Sequence, residues 1–159
     1  MDREPPSKSN NYLSEHVSRL LDSYQHWTGQ PLIPNGLSSF ERARLLFKAP
    51  FAVLSHTAED DPIFNYANLT AMKLFESDWH YITQMKSRSS AETPLQSERE
   101  ALLKAVRDQG FSNSYSGIRI SRSGKRFRIS DAIVWNVLNT NGDLIGQAAT
   151  FARWEFLDS

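Results

Sequence analysis

The chain has 159 residues, with 18 basic and 18 acidic side chains and a formal net charge of zero. That length suits one domain of about 100–200 residues, and a 40 % hydrophobic fraction containing 9 Phe, 5 Tyr and 4 Trp suits a packed core rather than a disordered chain. The absence of cysteine excludes disulfides, thiolate zinc sites, iron–sulfur clusters, cysteine nucleophiles and any photochemistry that ends in a cysteinyl–flavin bond, and neutrality argues against a domain that wraps nucleic acid.

Residues 1–11 are polar, carry Pro5 and Pro6, and read as a disordered lead-in without the apolar run of a signal peptide. No later stretch approaches the ~18 apolar residues of a membrane span, so a cytoplasmic protein is the expectation. Leu13, Val17, Leu20, Leu21, Tyr24 and Trp27 recur at spacings of three and four, which predicts an amphipathic helix from Tyr12 to Thr28 capped by Gly29. A second helix is expected from Ser38, where Ser38 and Glu41 form a capping-box pattern, and it should end before Pro50. Together 12–49 form a helical extension whose apolar stripe must cover either this chain's own sheet or a second copy. Self-association through the stripe is one expectation that follows.

From Pro50 the texture changes. Phe51 to Ser55 and Ile63 to Ala67 read as strands around the acidic turn Glu59-Asp60-Asp61-Pro62, and Asn68 should cap a short helix running to Phe75. That acidic turn lacks the spacing of a calcium loop, so a solvated turn is the plainer reading. Residues 76–94 show no clear period and are expected to hold short helical turns and loop. Ser97 and Glu100 form a further capping-box pattern ahead of Leu102, Leu103 and Val106, closed by Gly110. Tyr115 to Ser121, Lys125 to Leu138 and Leu144 to Trp154 are strand candidates joined by Ser123-Gly124 and Asn141-Gly142; the latter is a type I′ hairpin signal. The order predicts an α+β domain, a five-stranded antiparallel sheet with helices on one face, over 50–156.

Several segments in this order resemble a known family. Asp61 to Asn68 followed by Ala71 and Leu74-Phe75 looks like the PAS pattern of a strand reaching a helix-capping Asn. Ser87 to Glu92, Tyr115 to Ser121, Gly124 to Ile129, Val134-Trp135-Asn136 and Gly146 to Phe151 resemble the MEKHLA family. That is a PAS-like domain found alone in bacteria and at the C-terminus of plant homeodomain-zipper transcription factors. The resemblance spans Tyr12 to Trp154. It implies a sensory or regulatory module that binds a small ligand or a protein partner and signals through its N-terminal helices. It names no cofactor, and no homeodomain or zipper pattern precedes the domain, so a DNA-linked role does not carry over.

A PAS-like fold implies a pocket between its inner helices and the inner sheet face. Strict alternation in the long strand would put Phe127, Ile129, Asp131, Ile133, Trp135 and Val137 on one face. The candidate lining is Tyr66, Phe75, Tyr81 and Met85, with Ile118, Phe127, Ile129 and Trp135 from the strands, and Asn68 and Gln147 as polar contacts. In the plainer reading the aromatics fill the space themselves and Asn68 only caps a helix. Asp131, in register with apolar neighbours, needs a buried partner or a bulge, and Arg88 is a candidate partner. Arg119, Arg122, Lys125, Arg126 and Arg128 form a basic hairpin, read either as an anion-binding surface or as a charge-protected edge. The four histidines show no paired metal spacing; PAS proteins that hold haem commonly use a histidine on the longer helix, and the segment Ser97 to Gln109 holds none, so the resemblance disfavours haem. The rival readings are a small enzyme using the same cavity, with His56 or Asp131 as acid or base, and a ligand-free interaction domain.

Overall fold

The computed structural model describes residues 3–92 and 95–157; Met1 and Asp2 of the lead-in, and Thr93 and Pro94 of the expected loop, lie outside them. Helix α1 spans Ser14–Thr28 and ends at Gly29, whose φ of 74° and amide bond to the Gln25 carbonyl make the expected left-handed cap. Helix α2 spans Ser39–Phe47, with the Ser38 hydroxyl accepting from the Glu41 amide. Strands β1 (Ala52–Thr57) and β2 (Phe64–Ala67) follow, then the short helices α3 (Leu69–Leu74) and α4 (Trp79–Ile82), and α5 (Gln96–Gln109). Strands β3 (Phe111–Ile120), β4 (Arg126–Leu138), β5 (Leu144–Phe151) and β6 (Arg153–Phe156) complete the chain. The sheet order is β2-β1-β5-β4-β3, all neighbours antiparallel, with β6 also on β4. Among the described residues no helix is long and apolar enough to cross a membrane.

The two sheet faces are covered by different parts of the chain. Helices α3 and α5 lie against the inner face. Helix α1 lies across β4 on the outer face, with Val17, Leu20, Leu21 and Tyr24 buried there. Of the two expected covers, this chain's own sheet or a second copy, the stripe is closed against the sheet of this chain. Hydrogen bonds fasten it to β4: Trp135 Nε1 donates to the Leu20 carbonyl (3.1 Å), Trp27 Nε1 to the Asn136 carbonyl (2.9 Å), and the Leu138 amide to Ser23 Oγ (2.8 Å), which in turn donates to the Leu138 carbonyl (3.4 Å). The Tyr24 ring meets Trp135 edge-on at 5.0 Å.

The lead-in also differs from its expectation. From Arg3 it is laid against the domain: Arg3 donates to the Asn65 carbonyl, Trp79 Nε1 donates to the Arg3 carbonyl, and a 3-10 segment over Lys8–Leu13 precedes α1. Two local signals resolve differently from their patterns. Ser97 lies inside α5, which starts one residue earlier behind Leu95, so its capping box does not form. At Asn141-Gly142 only Gly142 takes a positive φ, because the Asn139 side chain accepts from the Asn141 and Asp143 amides and closes a longer loop.

The largest departure is at Asp131. Its φ of 55° inserts a left-handed residue into β4, and the facing strand is interrupted at Ala152, between β5 and β6, while the pairing register continues unchanged from Ile133↔Thr150 to Ser130↔Arg153. One residue of this kind reverses which side chains face the core. Before it, Phe127 and Ile129 face inward; beyond it, Ala132, Val134 and Asn136 do, and Ile133, Trp135 and Val137 turn outward to α1.

Candidate functional site

Between the inner sheet face and α5 lies a cavity of about 80 Å³. Its apolar wall comes from Leu54, Phe75, Leu102, Leu103, Ile129, Val134 and Phe151, and its polar wall from His56, Ser87, Ser90, Arg99, Arg119 and Gln147. The cavity exists because β1 and β5 put small residues or polar groups opposite α5, while Arg99, Leu102, Leu103 and Val106 share one stripe of that helix.

The polar side chains form one hydrogen-bonded chain whose direction the chemistry fixes. Arg99, 4 % exposed, donates through Nη2 to Ser87 Oγ. Ser87 Oγ meets His56 Nδ1 at 2.8 Å, and His56 Nε2 meets Gln147 Oε1 at 3.2 Å. Gln147 Nε2 donates to the Leu103 carbonyl (2.9 Å) and to Asn136 Oδ1 (3.2 Å), and Asn136 Nδ2 donates to the Val106 and Arg107 carbonyls. The α5 carbonyls accept only, so both amides are oriented, and Gln147 Oε1 must accept a hydrogen bond from His56 Nε2–H. His56 is consequently the Nε2–H tautomer, its Nδ1 lone pair accepts from the Ser87 hydroxyl, and the Ser87 oxygen accepts from Arg99. Every donor in the chain points from the cation toward the C-terminal end of α5.

Burial pushes the His56 pKa down to about 4, with the Arg99 charge adding to the fall and the Gln147 hydrogen bond opposing it. Arg99 is lowered to about 10, first by desolvation and then by the neighbouring Arg119. Among the described residues neither guanidinium has a carboxylate within 4.0 Å. Asp61, the nearby acid, is engaged by Lys86 (3.5 Å) and Arg88 (3.1 Å).

Of the residues expected to line the pocket, the cavity brings together Phe75, Ile129 and Gln147. Phe127 is buried beside it, edge-on to Phe75 at 5.2 Å. Trp135 is turned to the outer face by the Asp131 inversion. Tyr66 also faces outward, paired with Ser55, where its ring lies near His16 and Trp79 and its buried hydroxyl has no partner among the described residues. Tyr81 is exposed with Arg122 stacked 3.9 Å over its ring, Met85 is half-buried and lines no part of the cavity, and Ile118 lies on a surface groove by Arg128. Arg88 pairs with Asp61 and not with Asp131, which is exposed and sits 3.4 Å from Arg153. Asn68 is a pure structural cap: its Oδ1 accepts from the Val53 and Ala71 amides, and its Nδ2 donates to the Leu46 and Phe51 carbonyls. All its hydrogen-bonding capacity is used.

Sequence reasoning missed Arg99, Ser87, Ser90 and Arg119 as cavity residues. A signal for Arg99 was present, since it falls in helical register with Leu102, Leu103 and Val106, where a cation on an apolar stripe needs a reason. The basic hairpin is largely engaged within the chain: Lys125 pairs with Glu76 (3.6 Å), Arg126 with Glu92 (2.6 Å), and Arg119 lies over the Tyr115 ring. Among the described residues no cluster of three His, Cys, Asp or Glu side chains is placed to hold a metal ion.

Solved structures with the same arrangement are PAS and light-oxygen-voltage domains. The PAS domain of a Colwellia psychrerythraea protein superposes with a TM-score of 0.59 at 13 % identity, covering 74 % of this chain and 94 % of that one. An RNA-binding light-oxygen-voltage receptor gives 0.61 at 18 %, covering 76 % and 34 %. The fold is thus PAS-like. Among curated proteins, the homeobox-leucine zipper protein REVOLUTA of Arabidopsis thaliana is 25 % identical over 147 residues, and HOX10 of Oryza sativa subsp. indica 21 % over 139. In each case 87 % of this chain is aligned, and it spans only 17 % of the relative's length. The family profile of the MEKHLA domain matches residues 14–156, nearly the whole length from α1 to β6, and the chain belongs to that family.

Proposed function

We propose that this PAS-like domain is a sensory module that admits a small ligand to the cavity under α5 and reports its presence through α1. The observation that carries this reading is the position of Asn136. Its side chain closes the polar chain on the inner face, where Gln147 and the end of α5 meet it, and its own carbonyl accepts from Trp27 of α1 on the outer side. Next to it, Trp135 holds the Leu20 carbonyl. A ligand that moves Gln147 or α5 thereby acts on the strand to which α1 is fastened. Signalling would follow by population shift, the ligand favouring one packing of α1 over another.

A drug-sized ligand occupies a pocket of about 300–1,000 Å³, so a cavity of about 80 Å³ suits a molecule of a few heavy atoms. A flavin, the kind of group named for a light-oxygen-voltage neighbour, does not fit it, and the chain has no cysteine to bond one. Of the two groups a small enzyme could use as acid or base, Asp131 is on the exposed bend near Arg153 and away from the cavity, and His56 alone lines it. The test is native mass spectrometry of protein from its own host, compared with the denatured mass, followed by hydrogen exchange of α1 with and without the retained compound. A retained small molecule that alters α1 exchange is the expected result; a ligand-free protein with α1 indifferent to every candidate compound would favour an interaction domain with a closed core.

A further inference from the structure

The cavity's charge is out of balance, and that imbalance identifies what it takes. Arg99 is almost fully buried, yet among the described residues its one side-chain partner is the neutral Ser87 hydroxyl. A buried guanidinium is costly unless an anion and further hydrogen bonds meet it. Arg119 lines the same cavity and is engaged by the Tyr115 hydroxyl (3.1 Å) and its own neighbour's carbonyl, again without an acid. His56 adds no negative charge, and Glu100, next to Arg99 in α5, is exposed. The side chains of Leu54, Phe75, Leu102, Ile129, Val134 and Phe151 line the same cavity and make the rest of its wall apolar.

From this juxtaposition we infer that the ligand is a short-chain carboxylate, its anionic head on Arg99 with Ser87 or Ser90 and its hydrocarbon tail against the apolar wall. A planar guanidinium matches a carboxylate in a two-point hydrogen bond. An apolar cavity of about 150 Å³ holds benzene; one of about 80 Å³ is matched to an acid of propionate or butyrate size. Inorganic phosphate or sulfate would waste the apolar wall, and an apolar gas would leave the cation unmet. The inference rests on the sensory reading for its site, and deepens it by naming the ligand class.

The test uses the full chain at neutral pH. Thermal unfolding and calorimetric titration are run with sodium propionate and sodium butyrate, against sodium chloride at matched ionic strength, inorganic phosphate, and butyramide as the neutral isostere. Saturable stabilisation by the carboxylates, absent with the amide and with chloride, is expected. Arg99→Met keeps the volume and removes the charge: it should weaken carboxylate binding by about tenfold or more, the loss of one charged hydrogen-bonded contact, while raising the unfolding temperature of the ligand-free protein. Equal effects of butyramide and butyrate, a response to phosphate or chloride alone, or an Arg99→Met protein that still binds butyrate as the parent does would each overturn it. If the host-purified protein retains a neutral compound, the carboxylate assignment falls and the sensory reading stands. Where butyrate binds and α1 exchange does not change, the assignment stands and the sensory reading falls.

Discussion

At the scale of single residues, buried histidines make folding pH-dependent in a defined window. The unfolded chain protonates histidine near the ordinary value of 6.5, whereas folded His56 and His16 resist protonation down to about 4. Between those values the unfolded state binds more protons, so stability is full above pH 6.5 and drains as the pH falls toward 4. His56 accounts for at most about 3 kcal/mol of that loss, and His56→Gln should flatten this part of a urea-denaturation series against pH. A second, separate loss belongs to Glu76, whose carboxylate is held down to about 2 by the Ser121 and Ser123 hydroxyls and appears only below the ordinary glutamate range. Asn68 offers a sharper single-residue outcome: Asn68→Ala removes four hydrogen bonds, from the Val53 and Ala71 amides and to the Leu46 and Phe51 carbonyls, and chemical denaturation should show a cost of about 3 kcal/mol. Asn68 was readable because a cap is decided by a few neighbours. The register of Arg99 was readable too, but its meaning was not, because that depends on which acids are absent around it in three dimensions.

At the scale of elements, β4 shows why the cavity lining escaped a reading by alternation. The strand's existence, length and partners follow from its β-branched and aromatic run, but one left-handed residue divides it into two segments of opposite parity. Strict alternation therefore placed Ile129 correctly and Trp135 on the wrong face. Asp tolerates the left-handed region better than most residues, and nothing in its neighbours marks it as a bend. An extended backbone at Asp131 would restore uninterrupted alternation and swing Trp135 and Val137 toward the cavity. Asp131→Val, whose β-branched side chain resists the left-handed region, should therefore broaden the unfolding transition and weaken the near-ultraviolet circular dichroism of the indoles. Replacement by Gly, which takes the same φ without strain, should leave both intact. Two other elements meet closely enough to demand glycine. A Cβ at Gly110, where φ is already +104°, would enter the Trp27 ring, and one at Gly146 would strike the His56 carbonyl. These requirements come from packing between distant segments, so only the Gly110 cap was visible in the sequence.

At the scale of the molecule, α1 is a layer of the domain rather than an arm reaching to another copy. Leu20 is fully buried by this chain alone. Leu20→Ala should cost about 3 kcal/mol of stability and leave the sedimentation coefficient unchanged; an altered association state instead would show that the stripe serves a second copy after all. The amphipathic pattern announced that α1 would be covered without saying by what, because periodicity records a face and not its partner.

The fastening of α1 to β4 has a spectroscopic consequence. Two of the four tryptophans, Trp27 and Trp135, supply indole N–H groups to the α1–β4 seam, one from each side, whereas Trp79 is hydrogen-bonded to the Arg3 carbonyl near the other end of the sheet. The seam thus carries its own emitters. Any event that loosens α1 wets these indoles and shifts their fluorescence to longer wavelength, so the unlabelled protein reports movement of this layer by its intrinsic light.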